Sequence, residues 1–382
     1  MKIDAVFGLK RTFLVAALLL LAQTVFAAAP GQRDWWYTLR RGQAMFGRGD
    51  YGNALLAFDD ARRDRRATFD RMERDLVEFL SMGEVRRMGD SLDWAERFAR
   101  EGRFAAAVAA LDELFFRVPR GGLGNSVAAA LEAFGTLRYF PEAEMWIGRT
   151  FRAGGELNLA RAQFEIALSR REFFESPALA TELLYELAEV HGMRGDLLGM
   201  ERALLEIVEA GALWGDGGEG WQAGPFAREA MLRTLRTQGV DRLLTLYRYG
   251  NAGVMRAHRE LGFLYAAMGR HGPAQQHLMF AFVIQNTVII DEIIRRRFDF
   301  RFTTLEALAD EIARDPFLAA YAAEGEYYRV AFYLGNSLFH GHRARAEELW
   351  RFVAGREGAG EWRTRAAAQL RSPRVGATIV AP

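Results

Sequence analysis

The mature chain reads as an all-α array of stacked helical hairpins, and three observations point there. Alanine, leucine, arginine and glutamate dominate while strand signals are scarce. Apolar residues recur three and four apart, the spacing of one helix face. A glycine-centred pattern of small and bulky residues returns several times along the 382 residues.

The first element is an export signal over residues 1–27. Lys2, Lys10 and Arg11 form a basic start, Thr12 to Leu21 is apolar, and Val25-Phe26-Ala27 presents small residues where a signal peptidase reads. The rival is an uncleaved anchor, since the apolar stretch from Thr12 to Ala29 just reaches the length that spans a bilayer. Gln23 and Thr24 interrupt that stretch, and cleavage after Ala27 is the reading taken. Removing the segment takes the formal charge from +1 to about −1. No later segment reads as long and apolar enough to span a membrane. The expectation is an exported, periplasmic protein with no membrane span after cleavage.

Six hairpins follow, in an N-terminal block (28–210) and a C-terminal block (225–370). The first has Gly42, Met45, Gly49, Tyr51, Ala54, Phe58 and Ala61. The second has Trp94, Ala95, Phe98, Gly102, Phe104, Ala107 and Leu111; the third has Ile147, Gly148, Phe151, Gly155, Leu157, Ala160, Phe164 and Ala167. The fourth has Leu187, Ala188, His191, Gly195, Leu197, Met200, Leu204 and Ile207. The fifth has Leu261, Gly262, Tyr265, Gly269, Ala274, Leu278 and Ala281. The sixth, one residue short in its turn, has Leu334, Gly335, Leu338, Gly341, Ala346, Trp350 and Val353. Small residues let two helices approach closely, bulky ones fill the space beside them, and the turn glycine takes a left-handed conformation. A lone hairpin cannot bury its apolar face, so hairpins must stack.

The second-helix anchors lie at Ala54, Ala107, Ala160, Met200, Ala274 and Ala346. Their intervals are long and unequal, so extra helices must fill the gaps. The candidates are Ala67 to Met82, Ser126 to Arg138, Ala227 to Gln238 with Asp241 to Tyr249, and Thr304 to Ala322. Residues 211–224 form a loop rich in glycine that carries Trp214 and Trp221, and 371–382 read as a frayed tail.

The pattern of small residue, bulky residue three later, turn glycine, second-helix alanine and bulky residue four after it resembles the tetratricopeptide repeat family. That family repeats at about 34 residues, so this array is irregular. The resemblance implies that first helices line a concave groove. It places there Trp36, Gln43, Phe46, Glu96, Arg100, Arg149, Arg152, Tyr185, Glu189, Arg256, Arg259, Phe263, Phe332, Asn336 and Phe339. Arginine and aromatic residues together have the composition of binding hot spots. Alternatively, arginines such as Arg149 and Arg152 are solvated or paired with acids such as Glu142 and Glu144. The lysine-asparagine carboxylate clamp of chaperone-binding members is absent.

Composition narrows the chemistry further. With no cysteine there is no disulfide, thiolate metal site or cysteine nucleophile. The near-neutral balance is not that of a nucleic-acid-binding surface. The glycine loop lacks the lysine of a phosphate-binding loop, and no G-x-S-x-G motif is present. The six histidines, among them the pairs His271/His277 and His340/His342, lack helical zinc spacing. Arg295 to Phe302 reads either as a helix end that packs its phenylalanines or as an exposed basic-aromatic edge. The expected function is a non-enzymatic adaptor that binds a protein partner in the envelope, without a cofactor. The alternative is a periplasmic component that binds a small ligand or glycan.

Overall fold

The computed structural model describes residues 35–81, 94, 97–98, 101–103, 106, 109, 138–213 and 225–373. Among these residues there are fifteen α-helices and no strand. The chain divides into two compact units, Met1–Glu186 and Leu187–Pro382. The signal segment, Glu96, Arg100, most of the second hairpin, the Ser126 helix and residues 214–224 and 374–382 lie outside the described residues.

Unit one contains α1 (Trp35–Phe46), α2 (Tyr51–Ser81), α3 (Pro141–Ala153) and α4 (Leu157–Leu168), and ends inside α5 (Pro177–Met193). α1 pairs with α2, α3 pairs with α4, and α2 packs on α3. One core cluster joins Leu39, Ala54, Phe58, Ala61, Phe140, Ala143 and Ile147 across three of these helices. The separate helix expected from Ala67 does not exist. α2 runs 31 residues without a break, because no glycine or proline follows Gly52 before Ser81.

Unit two begins within α5 and continues with α6 (Leu197–Leu213), α7 (Pro225–Gln238), α8 (Val240–Leu246), α9 (Met255–Ala267) and α10 (His271–Arg296). It closes with α11 (Leu305–Arg314), α12 (Pro316–Glu324), α13 (Tyr327–Leu338), α14 (Arg343–Ala354) and α15 (Glu361–Arg371). α9 pairs with α10, and α13 with α14; α10 also packs on α13, and α14 on α15. The helix expected over Thr304 to Ala322 is two helices. Asp315 has extended backbone ahead of Pro316. Its carboxylate caps α12 by accepting from Phe317 N at 2.8 Å and Leu318 N at 3.3 Å. α10 corrects the membrane reading. Its 26 residues contain a window of mean hydropathy 1.5, long and apolar enough to cross a membrane, and 83% of that window is buried inside the protein. It is the core helix of its unit.

The hairpins share one construction. A Cβ added at Gly42 would lie 2.5 Å from the Phe58 ring, at Gly262 2.6 Å from Leu278, and at Gly335 2.7 Å from Trp350. At Gly148 it would come well inside 3.0 Å of Phe164. Each glycine therefore seats the bulky residue of its partner helix directly on its backbone. The turns repeat as well. Gly49, Gly102, Gly155, Gly195 and Gly269 all have positive φ, between 69° and 81°. The residue after each donates its N–H to the carbonyl five positions back: Asp50 to Met45, Arg103 to Phe98, Glu156 to Phe151, Asp196 to His191 and Arg270 to Tyr265, all at 2.8–3.0 Å. This bond closes the helix and satisfies a carbonyl that would otherwise have no partner. The sixth turn departs from the expected left-handed glycine. One residue shorter, it closes with His342 N donating to Leu338 O at 2.8 Å, and Gly341 needs no positive φ.

Candidate functional site

The first helices of the hairpins carry the residues that the repeat pattern nominates. In unit one the best-defined group lies between α3 and α5. Arg149 immediately follows the seating glycine, and its side chain is 11% exposed. Its Nε donates to Glu186 at 2.9 Å, a second guanidinium nitrogen reaches Glu182, and the fork lies 4.5 Å over the Trp146 ring. Arg152, one turn on, meets the same Glu186 at 2.7 Å. Both arginines thus bridge the first helices of successive hairpins.

Their partners are not Glu142 and Glu144. Arg149 follows Glu144 by five positions, which places the two about 140° apart around the helix. Glu144 instead accepts from Arg62, Arg170 and Gln163, and Glu142 accepts the Glu175 N–H at 2.8 Å. Burial pushes the Glu142 carboxyl up, against that hydrogen bond.

The aromatic candidates of unit one pack inside it. Trp36 meets Phe140 edge-on with ring centroids 5.0 Å apart. Phe46 lies 5.4 Å from Tyr51 and 5.5 Å from Trp146, at the edge of the core cluster. Tyr185 is half-buried on α5. Gln43 lies half-buried on α1, and Glu189 exposed on α5.

In unit two Arg256 is exposed at the start of α9. Arg259 bonds Glu260 at 2.8 Å and Glu326 at 3.3 Å, and donates to the Glu324 carbonyl at 3.1 Å. Phe263 occupies the position after its seating glycine, as Arg149 does, and likewise reaches the next first helix. It meets Tyr333 edge-on at 5.3 Å and lies 4.2 Å beneath Arg329. Trp362 of α15 closes the group, 5.6 Å from the Arg329 guanidinium. Phe332 is buried against Tyr333 and Trp362. Asn336 accepts the Trp350 indole N–H at 3.0 Å, and Phe339 packs 5.4 Å from the same ring. Asn336 and Phe339 thus support their own hairpin.

Three arrangements were not legible in the sequence. Glu182 and Glu186 lie on another helix from the arginines they hold, and the box of Phe263, Tyr333 and Trp362 around Arg329 draws on three helices. The histidines pair otherwise than by sequence proximity. His258 Nδ1 lies 3.0 Å from His277 Nδ1, and the His271 ring lies 4.9 Å from His340. Burial holds His258 well below the usual imidazole range and His277 down to about 4, with the Arg228 charge adding to both effects. Nearby, Tyr265 donates to Glu201 at 2.7 Å and Arg270 meets that carboxylate at 3.1 Å; burial and this bond push the Tyr265 phenol up to about 12. Among the described residues, no three His, Cys, Asp or Glu side chains group to hold a metal ion. Phe298 is exposed beyond the end of α10, while Arg296 and Arg297 are paired with Asp315 and Glu311 at 2.5 and 2.6 Å.

No protein-family model matches the chain. It is similar to an uncharacterized protein of Treponema pallidum (strain Nichols), at 24% identity over 339 residues. The likeness covers 88% of this chain and 90% of that protein.

Proposed function

We propose that this chain is a non-enzymatic, tetratricopeptide-like repeat scaffold, exported to the periplasm, where it holds a protein partner on the first-helix faces of its hairpins. The observation that carries the reading is the repeated hairpin itself: one glycine seat and one turn bond, used again along the chain, joined by residues that bridge one first helix to the next. Such faces present side chains in a regular series, which suits an extended or helical protein segment.

The face between α3 and α5 gives the partner a chemistry. Arg149 and Arg152 share Glu186, which is largely shielded, while Glu182 is half-exposed and adds a second contact to Arg149. Glu182 is the exposed member of the pair and regains its hydration when released, so an incoming carboxylate can take its place beside Arg149. The partner segment on this reading is acidic.

The test begins with affinity capture from envelope extract and proceeds to binding measurements with the captured protein. Glu182→Gln removes the internal competitor and should tighten binding. Arg149→Ala with Arg152→Ala should weaken it at least about tenfold, roughly 1.4 kcal/mol. Unchanged affinity in both variants, with helicity intact, would overturn the proposal.

A further inference from the structure

A cleft of about 290 Å³ in unit one is lined by Arg62, Arg63, Arg65 and Arg66 of α2, by Arg138, Tyr139, Phe140 and Glu144 at the entry to α3, and by Arg170 after α4. Six guanidinium groups and one carboxylate face one space. Glu144 is 2% exposed and spans the back of the cleft, where Arg62 and Arg170 hold it at 3.3 and 3.1 Å.

The arginines are arranged as forks on aromatic supports. Arg65 lies 4.5 Å over Phe140 and 5.9 Å over Trp35; Arg170 and Arg138 lie 4.7 and 5.5 Å over Tyr139. Stacking of this kind holds a guanidinium plane in place and leaves its edge for oxyanions. Arg65 is buried, and burial lowers its guanidinium against the opposing charges of Glu142 and Glu175. At the mouth, Arg63 is paired with Asp59 and Asp60, and Arg66 with Asp70, in exposed pairs within one helix. Exposed pairs within a helix contribute little and exchange readily for a better anion.

We propose that this cleft binds a small soluble polyanion that carries at least two oxyanion groups, phosphate or carboxylate. Several forks spread over one space favour several oxyanion groups on one ligand, and the volume is near the lower end for small-molecule sites. The site lies on α2, α3 and the end of α4, and does not depend on the protein-partner reading above.

The experiment is calorimetric titration of the full chain with pyrophosphate and with citrate at low ionic strength. A saturable isotherm with one site for either probe is the expected result. Arg63→Gln with Arg66→Gln should weaken it at least tenfold, because it removes two of the six guanidinium groups that line the cleft. Arg343→Gln removes an equally exposed arginine of α14 and should leave affinity unchanged. The proposal is overturned if neither probe binds, if the α2 variant binds as the parent does, or if Arg343→Gln weakens binding equally. Binding to phosphatidylglycerol vesicles without binding of either soluble probe would also overturn it, by assigning the arginines to a lipid surface.

Discussion

Replacing Gly148 with alanine should destabilise the protein, whereas the same replacement at Gly52 should stabilise it. Both glycines lie in helices. A Cβ at Gly52 meets nothing within 4 Å, so only the ordinary preference of a helix for alanine operates there, worth about 0.4–1 kcal/mol. At Gly148 the Cβ would fall well inside 3.0 Å of two ring carbons of Phe164. That ring is fully buried, so neither it nor the helix can yield freely. Overpacking of this kind costs about 1–3 kcal/mol, which offsets the helical gain and leaves a net loss of up to about 2.6 kcal/mol. Gly52 lies in the first turn of its helix and Gly148 in mid-helix, so the helical gain is no larger at Gly52 and the difference between the two variants reports at most the contact. It should be about 1–3 kcal/mol in urea unfolding followed by far-ultraviolet circular dichroism. Shrinking the ring should relieve the clash, so Gly148→Ala should cost less in a Phe164→Leu background, with a coupling of about 0.5–3 kcal/mol. If Gly148→Ala stabilises as much as Gly52→Ala, the glycine is not a seat and the shared construction of the hairpins is wrong.

The remaining predictions concern the interior of unit two. His258 and His277 are held neutral in the folded state, so the unfolded chain binds more protons between about pH 6.5 and pH 4. Stability from this pair is therefore complete above pH 6.5 and falls as the pH drops towards 4, by roughly 3 kcal/mol for His277 alone. Unfolding midpoints measured from about pH 7.5 to 4.5 should show the decline, and His258→Leu with His277→Leu should flatten it; equal slopes in parent and variant would refute the assignment. Tyr327 donates from a fully buried hydroxyl to Asn286 Oδ1 at 2.8 Å. Tyr327→Phe leaves that acceptor without a donor and should cost about 1–3 kcal/mol, read as a lower urea midpoint at unchanged helicity.

Local chemistry was enough to determine the helical class and, among the described residues, the construction of the hairpins apart from the sixth turn. Helix periodicity, the seating glycines at 42, 148, 262 and 335 and the turn glycines at 49, 155, 195 and 269 are short-range features, and a short-range feature is written in adjacent residues. Where the reading of extra helices failed, the signal was also local: the unbroken run after Gly52 and the Asp315-Pro316 step. The partners of individual side chains were a different matter. Arg149 lies 37 residues from Glu186, Arg62 lies 82 from Glu144, and His258 meets His277 rather than a nearer histidine. Each pairing depends on how one hairpin lies against the next. That is set by the summed packing of many side chains, and the interval between helices in the chain carries no record of it. The Arg62-Arg63 and Arg65-Arg66 run stands in adjacent residues, yet nothing in its spacing marked it as a site. Only the packing of α2 on α3, which is paired with α4, brings Arg138 and Arg170 to the same space, with the buried Glu144 carboxylate beside them, and so makes a cleft.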